Sequence, residues 1–269
     1  MGASRMSVAR WLVGSGTVPV RPAATADELL AQRVATEAGE LLRALRADHH
    51  HLRGWALGDM GDAQANDLII SALMDARPGD AILSEESPDN ARRLDADRVW
   101  IVDPLDGTKE FREPPRPDWA VHIALWERGK GLTAAAVALP DEGRTPHTGA
   151  AEIAVQRPDR PRLVVSRSRS PWGAGEVLHA IGGDLVRLGS AGAKAMAVLH
   201  GEAEVYLHND GLWEWDAAAP AAVAAAAGLH VSDVDGRPLT WNKRDPWVQG
   251  FLVCVPELAD DVLHALSRL

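Results

Sequence analysis

"VDPLDGTKEF", residues 102–111, sets two aspartates three positions apart, places a proline between them and follows them at once with Gly-Thr. The preceding "RVWIV" is an apolar run of strand type, so Asp103 is expected at a strand's carboxyl end, with Pro104 fixing the chain's direction there. Asp106 follows one turn on. Both carboxylates, with the Leu105 carbonyl between them, can converge on a small region, as a hard divalent cation requires. Gly107 and Thr108 are expected to open a turn or helix whose free N–H groups face that region and favour an anion. Carboxylates for a cation beside N–H groups for an anion form the layout that metal-assisted phosphate chemistry needs. Alone, "DPLDG" also reads as a simple turn, because Asp-Pro and Asp-Gly are common turn pairs. It is not a calcium hand, since the further acids and the glutamate at the fixed loop positions are missing.

Two other acid clusters add weight. "LSEES", residues 83–87, sets Glu85 and Glu86 at the end of another apolar strand, where paired like charges are costly without a cation nearby. "WEWDAAAP", residues 213–220, sets Asp216 where a tryptophan-containing segment enters an alanine-rich helix, as a ligand or as a helix N-cap. Three acid groups at three element ends suggest convergence.

Around these motifs the chain alternates helices and strands. Thr25 caps "ADELLAQRVATEAGELLRALRADH", whose Leu29, Leu30, Val34, Ala38, Leu41, Leu42 and Leu45 repeat at helical spacing. A second helix is expected from about Asp62 to Ala76, stopped by "RPGD". "WAVHIALWERG" and "KGLTAAAVALP" read as a hairpin. Strands are expected at "RLVVSRS", "LVRLGS", "AEVYLH", "GLHVS" and "GFLVCV", with helices near 173–182, 191–201, 215–227 and 257–268. A composition shift at residues 141–149 marks a seam, dividing the chain into an extension (1–24), an N-terminal half (25–148) and a C-terminal half (149–269).

The 269 residues are 46% hydrophobic and 25% charged, enough to bury a sizeable core. With 28 basic against 38 acidic side chains the net charge is −10, which argues against a nucleic-acid or membrane partner. The single cysteine, Cys254, cannot form an intramolecular disulfide and fits a reducing compartment, so a cytoplasmic location is expected. The opening "MGASRMSVARWLVG" has too short an apolar run for a secretion signal, and no stretch approaches the ~20 apolar residues of a spanning helix.

"ILSEES", "WIVDPLDGTKEF" and "EWDAAAPAAV" occur in the order and spacing of the inositol monophosphatase-like family of magnesium-dependent, lithium-sensitive phosphatases, which the chain resembles from about residue 25 onward. "DGTKEF", the Gly-Ser loop "GSAGAKAM" leading to Lys194, and "LTWNKRDPW" are most similar to its 3′-phosphoadenosine 5′-phosphate phosphatase branch. The resemblance implies a layered α-β-α-β-α sandwich of α/β (α+β) class and two or three Mg²⁺ ions. It implies that Glu85, Asp103 and the Leu105 carbonyl hold one ion, and that Asp103, Asp106 and Asp216 hold another. Asp62, at the start of its helix, and Thr108 would orient the attacking water; Asp59 is the alternative to Asp62. Gly107, Thr108, Ser190, Lys194, Arg169 and His208 would contact substrate phosphates. Arg169 stands where the branch often has histidine, and His208 follows "VY" where it often has arginine or lysine.

The implied activity is removal of the 3′-phosphate from adenosine 3′,5′-bisphosphate, in sulfate assimilation, by a protein that is plausibly a homodimer. The alternatives are an inositol, fructose-bisphosphate or other sugar or nucleoside phosphatase, or a non-catalytic metal- and nucleotide-binding regulator. "FREPPRPDW", residues 111–119, is a lid contributing Arg112 or Arg116, or a stiff connector. "DHHHL", residues 48–52, reads as a solvated helix end. The ten tryptophans read mostly as packing, with Trp119, Trp213 or Trp215 as candidates to stack on a base.

Overall fold

The computed structural model describes residues 23–49, 55–151 and 158–269. The extension over residues 1–24 therefore falls almost wholly outside the described residues, as does most of the histidine tract. Helix α1 (Ala26–Asp48) starts where expected: the Thr25 hydroxyl accepts the Glu28 N–H at 3.2 Å, while the Glu28 carboxylate accepts the Thr25 N–H at 2.7 Å. Helix α2 (Trp55–Ala76) begins seven residues before the expected Asp62. Gly58 and Gly61 weigh against helix by propensity, but packing outweighs them, because side chains of the active loop fill the space a β-carbon would need.

Strands β1 (Ala81–Ser84) and β2 (Arg98–Asp106) pair in parallel, and after the single-turn helix α3 (Thr108–Phe111) come β3 (Ala120–Glu127) and β4 (Gly131–Ala138). β3 and β4 form the expected antiparallel hairpin, giving a sheet ordered β1-β2-β3-β4. β2 is apolar on both faces, and the two-residue period sorts its side chains. Trp100 and Val102 join the core under α1 and α2, while Val99 and Ile101 face the core shared with the rest of the chain. Residues 144–148, inside the presumed seam, turn back along β4 through Ala136 and His147.

The remaining elements are β5 (Arg162–Ser166), α4 (Ala174–Ile181), β6 (Asp184–Leu188), α5 (Ala191–Leu199), β7 (Val205–His208), β8 (Leu212–Trp213), α6 (Glu214–Ala226), β9 (His230–Ser232), β10 (Trp247–Val248), β11 (Phe251–Cys254) and α7 (Ala259–Leu266). A five-stranded sheet runs β6-β5-β7-β11-β9, and β8 and β10 add a small ribbon that the sequence did not signal. α5 and α6 lie between the two large sheets, with α1 and α2 outside the first and α4 and α7 packed together outside the second. This is the expected α-β-α-β-α layering. No described helix is long and apolar enough to cross a membrane.

Leu42, fully buried where α1 meets the first sheet, tests this packing. Leu42→Ala is expected to cost about 2–5 kcal/mol of unfolding free energy, read from urea denaturation.

Candidate active site

Residues three apart on a regular strand face opposite sides of a sheet, yet Asp103 and Asp106 act together here. The register supplies the reason: Asp103 pairs with His122 and Asp106 with Ala120, so three steps on β2 match two on β3. The extra residue is a bulge at Pro104-Leu105, where proline has no N–H to give the ladder. β2 therefore does not stop at Asp103, as expected, but carries both acids to its end at Asp106. The Leu105 N–H donates to Asp103 Oδ1 at 3.0 Å and locks the corner.

Asp216 arrives from the second half. It is the third residue of α6 rather than its N-cap, and its Oδ2 accepts the Trp213 N–H at 2.7 Å. Asp103, Asp106 and Asp216 each offer an oxygen, all within 4.8 Å of one another. Glu85 stands just beyond β1, its carboxyl in hydrogen-bonding contact with Asp103. Its turn is set by Asn66 of α2, which accepts the Ser84 hydroxyl at 2.7 Å and donates to the Ser87 hydroxyl at 3.3 Å.

These residues fit a metal ion. Asp103 Oδ2 is buried with no hydrogen-bond partner, and every candidate donor is an oxygen, the set preferred by hard divalent cations. The Leu105 carbonyl accepts the Thr108 hydroxyl at 3.2 Å and keeps a second lone pair. A second group, Glu142, His200 and Glu202, lies elsewhere, with Arg144 within 3.7 Å of both glutamates and 3.2 Å of the histidine.

Burial, then the neighbouring acids, pushes the Asp103 and Asp216 carboxyls well above the usual range. Burial and Glu86, partly offset by Asp103, do the same to Glu85. Asp106 goes the other way: burial would raise it, but His122, Lys194 and the Ser190 hydroxyl outweigh that and hold it at about 2.

Asp62 is eight residues into α2, not at its start, and Thr108 lies close enough to its carboxyl to favour the charged form. Asp59 is exposed. Gly58 makes the contact possible, since a β-carbon there would stand 2.7 Å from Thr108 Cγ2 and 2.2 Å from Arg112 Nε. Burial and Glu86 raise Asp62 to about 7, against opposing contributions from Arg112 and Thr108.

Several expected substrate contacts are turned inward. Lys194 is buried, its ammonium donating to the Ser190 carbonyl at 2.7 Å and also to that of Gly189, 5.2 Å from the Tyr206 ring centroid. Desolvation holds it down to about 8. Ser190 caps α5 and donates its hydroxyl to Asp106 Oδ2. Both side chains are engaged within the protein; the sequence shows a cation after a Gly-Ser loop but not the depth of that loop.

Residues 111–119 form a tied connector rather than a lid. Arg46 of α1 donates to the Glu110 carbonyl at 3.1 Å and the Arg116 carbonyl at 2.9 Å, and Arg116 pairs with Asp118. Arg112 lies over the Trp55 ring, 4.3 Å from its centroid. Arg167 is committed to Glu110 and, at 2.6 Å, to Glu113.

Arg169 and His208, by contrast, line a cleft of about 210 Å³ with Ser166, Ser168, Asn209 and Asp210. This cleft lies between the carboxyl ends of β5 and β7. The connection from β5 runs to β6 on one side and then returns past β5 to β7, which makes this the switch point where open α/β sheets take their ligands. A larger hollow of about 680 Å³, between α4 and α7, contains none of these residues. Burial lowers His208, against the Gly211 carbonyl that its Nε2 faces at 3.0 Å, which weighs against the cation expected. Arg169 is well exposed, 3.6 Å from Asp210. Trp119 and Trp100 are core residues, while Trp213 stacks on Trp215 at 5.2 Å.

Residues 28–268 match the profile described as the inositol monophosphatase family. The chain belongs to that family. Over 245 residues it is 49% identical to a 3′-phosphoadenosine 5′-phosphate phosphatase of Mycobacterium bovis, covering 86% of this chain and 90% of that one. Over 206 residues it is 34% identical to the 3′(2′),5′-bisphosphate nucleotidase CysQ of Escherichia coli, covering 72% and 83%. Its fold matches that of the suhB protein of Bartonella henselae with a TM-score of 0.73 at 22% identity, over 90% of this chain and 100% of that one.

Within this family member, sequence reading missed Asn66, Asn209 and His122, the last because a lone histidine in an apolar strand gives no local signal.

Charge repulsion generates a pH prediction. Without metal, Asp62, Glu85, Asp103 and Asp216 keep their protons to higher pH than in the unfolded chain. The folded state then binds more protons, so this part of the stability is present at low pH and is lost as pH rises through the folded-state values. In EDTA the melting temperature is expected to fall between about pH 5 and about pH 8, less steeply in Asp216→Asn. Millimolar Mg²⁺ at the upper pH is expected to raise it in a concentration-dependent way.

Proposed function

We propose that this chain is a Mg²⁺-dependent phosphomonoesterase that removes the 3′-phosphate of adenosine 3′,5′-bisphosphate. The observation that carries the reading is the meeting of three carboxylates within 4.8 Å, with Asp62 and Thr108 close together in the same structure. A binding protein has no need of that pair. The nucleotide is favoured by the 49% identity to a phosphatase named for it, and by a cleft for the nucleoside at the sheet's switch point.

Glu85, Asp103, Asp106, Asp216 and the Leu105 carbonyl would hold the metal, which when bound polarises phosphoryl oxygens and makes nearby water more acidic. Asp62 accepts the proton of the attacking water, and the Thr108 hydroxyl, held by its bond to the Leu105 carbonyl, sets the water's direction. The N–H groups of Gly107 and Thr108, at the start of α3 and outside its hydrogen-bonded turn, are placed to hold a phosphate oxygen. Arg169 offers a charge to the second phosphate. Buried Asn209 Oδ1, which has no protein partner, is an acceptor for an amino group such as adenine's. The reading places the enzyme in the cytoplasm and leaves the chain free to act as a homodimer.

The test is phosphate release with Mg²⁺ from adenosine 3′,5′-bisphosphate, inositol 1-phosphate and fructose 1,6-bisphosphate, with Asp103→Asn as the blank. Preference for the nucleotide, lost in the blank, is expected; preference for either sugar phosphate would overturn the substrate assignment and keep the metal chemistry. Arg169→Ala is expected to raise KM for the bisphosphate on the order of tenfold, with little change for adenosine 3′-monophosphate.

A further inference from the structure

His122 stands in the middle of β3, fully buried, paired across the ladder with Asp103 at the last regular position before the bulge. Its Nδ1 lies 3.1 Å from the Trp215 carbonyl, and its Nε2 lies 3.2 Å from Asp106 Oδ2. Trp215 is in the first turn of α6, immediately before Asp216. One imidazole thus touches both the end of β2 that carries Asp106 and the helix that carries Asp216.

The neighbourhood is built around this ring. A β-carbon at Gly192 of α5 would stand 2.1 Å from His122 Nε2, so the helix approaches only because that residue is glycine. The Gly192 N–H donates to Asp106 Oδ2 at 2.8 Å, and the Ser190 hydroxyl donates to the same oxygen. With Oδ2 accepting from Ser190 and Gly192 and the imidazole packed against it, Oδ1 is left for the site. Ser190 and Gly192 fix Asp106 to α5; His122 adds the link to α6. Partners behind ligand carboxylates are what set their orientation, and losing one typically costs metal affinity about 10- to 100-fold.

We propose that His122 is a positioning residue of the metal centre: packed 3.2 Å from the Asp106 carboxylate and 3.1 Å from the Trp215 carbonyl, it holds Asp106 and Asp216 at the separation a shared cation needs. The inference rests on the reading of the site as a metal centre. It requires no contact between His122 and substrate or metal.

The test is Mg²⁺ titration calorimetry on the metal-free full chain, well below its melting temperature, with folding checked by circular dichroism. His122→Ala is expected to weaken Mg²⁺ binding roughly 10-fold or more. His122→Gln, whose amide can still reach Asp106, is expected to lose less than His122→Asn, whose shorter amide can reach only the Trp215 carbonyl. These two polar variants keep the test decisive if the alanine variant does not fold. A residue that only packs would lower the melting temperature and leave the dissociation constant unchanged. Wild-type affinity in the folded variants would therefore overturn the inference alone. A wild-type chain that takes up no Mg²⁺ would overturn it together with the metal reading.

Discussion

Asp103, Asp106 and Asp216 bring carboxylate oxygens within 4.8 Å of one another, at a depth where water screens poorly. Two like charges 4 Å apart repel by about 4 kcal/mol at an effective dielectric of 20, so the arrangement persists only because each acid is separately restrained. Asp103 takes the Leu105 N–H, Asp106 takes the Ser190 hydroxyl and the Gly192 N–H, and Asp216 takes the Trp213 N–H. These donors come from three segments of the chain. What they leave over is Asp103 Oδ2, buried and unpartnered, which is where a cation relieves the most strain.

The layering follows from supplying those donors. β2 brings two acids only because a bulge inserts one residue against β3, and it can lie that deep because both its faces are apolar. α5 and α6, sandwiched between the sheets, present their first turns to the bulge: α5 delivers Ser190 and Gly192, and α6 delivers Asp216. Pro220 within α6 removes the hydrogen bond that would run to the Asp216 carbonyl, so the turn carrying this acid is less rigidly helical than its alanine content suggests. The second sheet contributes the cleft at the ends of β5 and β7, so neither half alone holds both the acids and that cleft.

Most of the elements could be read from periodicity, and the acids from their place at element ends. What escaped the sequence was decided by long-range contact. The helical start at Trp55 is hidden by Gly58 and Gly61, whose missing side chains matter only once Arg112 and Phe111 press on them. That Asp103 and Asp106 share a face depends on a bulge whose partner strand lies sixteen residues further on. Lys194 looks like a phosphate ligand by composition, and its turn toward the Ser190 carbonyl and the Tyr206 ring is a matter of packing. That Asp62 lies near Thr108 while Asp59 is exposed is likewise visible only in the fold.

The inward turn of Lys194 changes how a second phosphate can be recognised. A buried ammonium that already donates to two carbonyls can serve a ligand only by abandoning them and reopening the loop that orients Ser190 and, through it, Asp106. Arg167 is equally committed, because its ion pairs with Glu110 and Glu113 tie the active loop to the second sheet. The charge that the cleft can spend on a ligand is therefore that of Arg169, which faces solvent and is only loosely engaged by Asp210. His208 and Asn209 line the same cleft and add polar groups beside it. Under the proposed function, an exposed cation beside these polar groups suits a phosphate that is held for recognition and is not itself cleaved.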